Sequence, residues 1–117
     1  MAADKVVIYH NARCSKSRCA LGLLEEAGSD VEIIDYLKTP PTEEELTALI
    51  ALLGIRPKEL VRTGEDIFKT TYAGKTLTPR QWVKAMVKHP ILIERPIVVS
   101  GNRAVIGRPP EKVLELI

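Results

Sequence analysis

The richest chemistry in this 117-residue chain lies around one cysteine set among hydroxyls and cations. His10-Asn11-Ala12-Arg13-Cys14-Ser15-Lys16-Ser17-Arg18 gathers a thiol, two serines, three strong cations and an imidazole. Ser15 and Ser17 are of the types that accept hydrogen bonds from free backbone N–H groups at a helix start, which sets the thiol at or just before a first helical turn. Unpaired N–H groups and the positive end of the helix dipole favour thiolate over thiol there. Arg13, Lys16, Arg18 and His10 add positive charge in the same sense. The chemistry implied is a nucleophilic sulfur in a place that also suits an oxyanion.

The other candidates are weaker. Cys19 in the same helix would lie about 7.5 Å further along the axis with its side chain turned away, so it is expected to be a structural or incidental thiol. Two cysteines and two widely separated histidines make a poor metal site, and no metal or bound cofactor is expected. His89, just before Pro90, reads as structural. A net charge of +2 is too small to argue for nucleic acid. Met1-Ala2-Ala3-Asp4-Lys5 runs straight into a strand. No apolar run suits a signal peptide or a membrane span, so a reducing, cytoplasmic setting is expected.

Elements must hold the thiol in place, and the chain supplies them. Val6-Val7-Ile8 reads as a buried strand of a covered, parallel sheet. Ala20, Leu23, Leu24 and Ala27 recur at helical spacing behind Cys14, with Gly28 as the stop. Val31, Ile33 and Ile34, leading to Tyr36, form a second strand, which completes a βαβ unit. The middle of the chain reads as helical. Thr42 with Glu45 is a capping box ahead of Leu46, Leu49, Ile50 and Leu53, and Pro57 opens a short helix that ends near Arg62. Thr63 to Lys75 is polar with weak periodicity, and Thr78, Pro79 and Gln81 start a helix that buries Trp82, Ala85, Met86 and His89. Ile97-Val98-Val99 and Ala104-Val105-Ile106 flank a Gly101-Asn102 turn as a hairpin. Pro109-Pro110-Glu111 opens a last helix with Val113, Leu114 and Ile117 facing inward.

The resulting order, β-α-β, helical block, β-β-α, is that of a thioredoxin or glutaredoxin core. The expectation is one α/β domain over residues 1–117 with residues 39–94 as the inserted helical block. In such cores the reactive cysteine sits where the first strand meets the first helix.

The stretch from His10 to Arg18 resembles the H-x-x-x-C-x-x-x-R signature of the glutaredoxin-coupled arsenate reductases, and is closest to their short bacterial members. Tyr36-Leu37-Lys38-Thr39-Pro40-Pro41-Thr42, Glu59-Leu60-Val61-Arg62, the segment from His89 to Val99 and Ile106-Gly107-Arg108-Pro109-Pro110-Glu111 resemble further blocks of that family, in order. The resemblance implies Cys14 as nucleophile, His10 and Ser17 as groups that activate it, and Arg62, Arg95 and Arg108 as ligands of the oxyanion. Paired guanidinium groups suit a tetrahedral dianion such as arsenate through charge-assisted hydrogen bonds. It also implies glutathione as co-substrate, glutaredoxin as the partner that resolves a mixed disulfide, and a cis Arg95–Pro96 bond. Two other functions use the same fold. A general glutathione-dependent thiol oxidoreductase would need the same thiolate without arsenate. An RNA polymerase-binding redox regulator would carry C-x-x-C where this chain has Cys14-Ser15-Lys16-Ser17, and lacks its second thiol.

Overall fold

The runs of β-branched residues become four strands, β1 (Val6–His10), β2 (Val31–Asp35), β3 (Ile97–Ser100) and β4 (Arg103–Ile106), and three α-helices lie between or behind them: α1 (Ser15–Glu26), α2 (Glu43–Leu53) and α3 (Pro79–Lys88). The structure is a computed structural model that describes residues 5–117, so Met1-Ala2-Ala3-Asp4, read from the sequence as the run into the first strand, lies outside the described residues. The chain divides into two compact units, Met1–Thr39 with Arg95–Ile117, and Pro40–Glu94.

The first unit is an α/β layer. Its sheet has the order β2-β1-β3-β4. β1 runs parallel to β2, with Val6 opposite Val31 and His10 opposite Asp35. β3 runs antiparallel to β4 as the expected hairpin, but β1 also runs antiparallel to β3, so the sheet around β1 is mixed where a parallel one was expected. The short connection through Gly101, at φ +59°, can join only antiparallel neighbours. Alternation along β1 buries Val6, Ile8 and His10 on one face and leaves Val7 and Tyr9 half-buried on the other. Val6, Ile8 and Val98 pack with Ala20 and Leu24 of α1 and with Val113 and Leu116 of the C-terminal segment. That segment, Pro110–Leu116, is 3-10 helical and not α-helical. Seven residues leave few i→i−4 bonds to gain, and i→i−3 bonds such as Lys112 N–H to the Pro109 carbonyl (3.0 Å) form instead.

The second unit is helical. Thr42 and Glu45 close a reciprocal capping box on α2, and Gly54 ends that helix at φ +68°. Thr78 and Gln81 do the same for α3, with Pro79 in the first turn. Leu46, Leu49, Ile50, Leu60, Trp82 and Met86 are buried. The polar stretch after Arg62, which gave no clear period, contains a π-helical turn at Phe68–Tyr72. Its two end rings pack on Trp82 at centroid distances of 6.2 and 6.0 Å. A local aromatic cluster fixes this segment where helical periodicity does not. No helix among the described residues is long and apolar enough to cross a membrane.

Candidate active site

β1 ends at His10, and four residues later, at Cys14, the chain reaches the N-cap of α1 through a tight loop pinned by Asn11. The Asn11 carbonyl accepts from the Cys14 N–H at 2.9 Å, and its side-chain Oδ1 accepts from the Arg13 N–H at 2.9 Å. This Asx turn delivers Cys14 to the N-cap of α1 with extended backbone (φ −91°, ψ 122°). Ser15 and Ser17, expected to be the capping acceptors, do not cap. The cysteine occupies the cap position without closing a side-chain capping hydrogen bond, and the backbone N–H groups of Ser17 and Lys16, the third and second residues of the helix, favour its thiolate form. An N-cap oxygen would bond the same two donors, so sulfur at this position is placed where an acceptor is wanted.

The half-buried thiol is shaped by opposing effects. Burial pushes its pKa up. The Ser17 N–H, the Arg95 guanidinium and the Lys16 N–H pull it down, and the balance lies below the ordinary cysteine value. Arg95 is only 8% exposed, and Arg108 is half-buried. The Arg108 Nη2 lies 3.8 Å from the Cys14 sulfur, while its Nε donates to the Arg95 carbonyl at 2.9 Å. These two arginines reach the thiol from the segments either side of the β3–β4 hairpin. Each precedes a proline in a cis peptide bond, at Arg95–Pro96 as expected and also at Arg108–Pro109. Gly107 lets the two segments close on each other. Its N–H donates to the Pro96 carbonyl at 2.8 Å, and a Cβ there would meet the Pro96 Cγ at 2.8 Å.

Behind the sulfur lies a buried polar knot. The Ser17 Oγ accepts from the Asn11 N–H at 3.1 Å and lies 2.8 Å from the His10 Nδ1. Burial lowers the His10 pKa, Asp35 acts against the shift and Arg18 adds to it, so the net direction favours the neutral ring. The imidazolium expected beside the thiol is therefore not the favoured form near neutral pH. His10 holds Ser17, whose backbone N–H favours the thiolate form of Cys14.

Arg62 lies in the helical unit. Its Nη1 donates to the Glu94 Oε1 at 2.6 Å and its Nε to the Glu65 Oε1 at 3.3 Å. Cys19 is exposed on α1, with a free thiol as Cys14 has. Among the described residues no three His, Cys, Asp or Glu side chains gather in a way that could hold a metal ion. Sequence reasoning passed over Asn11 as a loop pin, although an Asn after a strand and before a helix start is a turn signal. It also passed over the packing role of Gly107, for which nothing local gave a sign.

Residues 9–116 match the family model described as the ArsC family. A Haemophilus influenzae arsenate reductase is 42% identical over 114 residues, which cover 96% of this chain and 98% of that one. The uncharacterized protein YfgD of Escherichia coli is 47% identical over 115 residues, or 97% of each chain. Among solved structures, an arsenate reductase from Vibrio cholerae superposes with a TM-score of 0.95 at 46% identity, covering 99% of this chain and all of that one. The thioredoxin-like core expected from the order of elements is the fold of this chain, which belongs to the ArsC family.

Proposed function

We propose that the chain reduces arsenate to arsenite, with Cys14 as nucleophile and glutathione as the second thiol. The observation that carries this reading is the convergence on one sulfur of the α1 N-terminus, Arg95 and Arg108. Such a cluster stabilises a thiolate and offers a bound oxyanion the hydrogen-bond donors and charge it needs. The relatives named arsenate reductase supply the substrate class. The resemblance also assigns Arg62 to the oxyanion, although its guanidinium is engaged by Glu65 and Glu94.

In the proposed cycle the Cys14 thiolate attacks arsenic and an oxygen leaves as hydroxide or water, giving a sulfur–arsenic(V) bond. Glutathione thiolate then attacks the Cys14 sulfur. The electron pair of the sulfur–arsenic bond passes to arsenic, which leaves as arsenite, and two thiols have become one mixed disulfide. Glutaredoxin, acting as a cytoplasmic thiol donor, exchanges with that disulfide and frees Cys14, a step that needs an accessible sulfur. No bound cofactor takes part in this scheme.

The test is intact-protein mass after incubation with reduced glutathione and no glutaredoxin. Arsenate should produce a stable glutathione adduct on the parent chain and on Cys19→Ser, and none on Cys14→Ser. Turnover by Cys14→Ser should fall to the uncatalysed background. If arsenate makes no difference while oxidised glutathione forms the adduct readily, the general thiol oxidoreductase reading replaces this one.

A further inference from the structure

Arg18 closes the stretch that begins at His10, yet the proposed cycle gives it no task, and its place is an unfavourable one for a cation. It is the fourth residue of α1, at the positive end of the helix dipole, where positive charge is destabilising. Side chains of a helix lean toward its N-terminus, so a long one at this position reaches back over the first turn. The Arg18 Nη1 donates to the Ala12 carbonyl at 2.7 Å, while the Arg18 backbone N–H donates to the Cys14 carbonyl at 3.0 Å. One residue thus holds both the loop before the thiol and the residue that carries it. Other polar groups of that loop are closed from within: the Cys14 N–H by the Asn11 carbonyl, the Arg13 N–H by the Asn11 Oδ1 and the Asn11 N–H by the Ser17 Oγ. Ala12 is exposed, and Arg18 ties its carbonyl to α1. The charge of Arg18 also falls on the knot behind the sulfur, where burial holds the His10 ring neutral against Asp35 and Arg18 adds to that effect.

We propose that Arg18 is a positioning residue for the thiolate site: its guanidinium latches the Ala12 carbonyl to α1 and so keeps the turn from Asn11 to Cys14 closed, with Cys14 held at the N-cap. The latch acts on the thiol through the backbone. Cys14 meets the favourable influence of the Ser17 and Lys16 N–H groups from the cap position, and a turn that opens at Ala12 frees it to leave that position. A guanidinium suits this task better than an ammonium, because its donors lie in fixed directions in one plane. Its partner is a neutral carbonyl, which orients the group without cancelling its charge. The proposal rests on Cys14 being the activated thiol, but not on arsenate being the substrate.

The experiment is timed alkylation of the full, reduced chain across pH by uncharged iodoacetamide, with free glutathione in the same solution as reference thiol. It is run in a Cys19→Ser background, which removes the exposed thiol next to Arg18. Arg18→Met keeps an unbranched stem and removes the guanidinium. Its expected effect is a shift of the Cys14 profile toward the ordinary thiol range, with labelling near pH 7 slowed about two- to tenfold, as befits loss of one hydrogen bond. Amide hydrogen exchange at Arg13 and Cys14 should quicken by a similar factor, while the Leu23 and Leu24 amides stay as in the parent and the melting temperature does not fall. Both effects should persist in about 1 M salt, where the Debye length of about 3 Å screens an exposed charge acting through space. An unchanged Cys14 profile, or unchanged exchange at Arg13 and Cys14, overturns the proposal. So does a slowing that vanishes in high salt, which makes Arg18 a charge and not a latch. A parent chain in which Cys14 labels no faster than glutathione near pH 7 refutes the thiolate reading itself and the latch with it, a failure distinct from the others.

Discussion

The N-termini of α1 and α2 present the same four free backbone N–H groups and the same dipole end, and the chain treats them in opposite ways. At α2 the positive end is answered from within. Thr42 and Glu45 exchange capping bonds, and Glu43, Glu44 and Glu45 fill the first turn with negative charge. At α1 no acidic residue enters the first turn, no hydroxyl caps it, and a thiol takes the cap position. The arginines follow the same division. Arg62 in the helical unit is met by two carboxylates, whereas Arg95 and Arg108 reach the Cys14 sulfur. A helix start whose own side chains neutralise it serves stability. One whose only anionic partner is an ionisable sulfur has positive potential left for a reaction.

The largest test of that division compares the arginines. Replacing Arg95 or Arg108 by Ala should lower arsenate kcat/KM about ten- to a hundredfold, the worth of a hydrogen bond to a charged group, and should slow Cys14 alkylation. Arg62→Ala should act first on stability, since it leaves Glu65 and Glu94 without that partner, and should spare the Cys14 profile, whose named causes all lie in the α/β unit. Equal effects of the three substitutions on alkylation would erase the distinction.

A smaller effect should follow from giving α1 what α2 has. Ser15 is exposed in the first turn, and Ser15→Glu places a carboxylate near the dipole end without disturbing the core. Such a charge is worth about 0.3–1 kcal/mol at a helix terminus. Used against the thiolate, it should slow Cys14 labelling near pH 7 roughly two- to fivefold. Labelling that is unchanged or faster would mean that the helix end contributes little and the arginines account for the activation.

The contrast between helix starts was legible in the sequence only on one side. A capping box is a local code, and both Thr42/Glu45 and Thr78/Gln81 form as their spacing implies. Cys14 was legible as a thiol at a helix start, but its own occupation of the cap was not. The serines were the better cappers by type, and what displaces Ser17 is a long-range demand, the bond to His10 across the β1–α1 turn. Arg95 and Arg108 were grouped by resemblance. Their convergence depends on the β3–β4 pairing and on the close approach of Gly107 to Pro96, which no local pattern encodes. The order of elements revealed the core, whereas the antiparallel placement of β3 beside β1 left no mark on the residues.

The smallest expected effect concerns how each helix start is held. The α2 box lies at the surface, while the first turn of α1 is gripped from behind by Ser17, through His10 and Asn11, all three buried. That grip has a pH cost whose sign follows from linkage. The folded chain holds the His10 pKa below the ordinary 6.5, so as pH falls through 6.5 the unfolded state takes up a proton that the folded state does not yet bind. The contribution of His10 to stability is therefore complete above that pH and is lost between 6.5 and the lower folded value. His10→Gln keeps a hydrogen-bonding side chain next to Ser17 and removes the titration, so its melting temperature should decline less than that of the parent between pH 7.5 and 5.5, with His89 present in both. Because the Ser17 N–H helps to hold the Cys14 pKa down, the substitution should also shift the Cys14 labelling profile modestly upward. Melting curves that decline in parallel would place the imidazole outside the acid response of the fold. An unmoved labelling profile would show that the backbone of α1 favours the thiolate without help from the histidine.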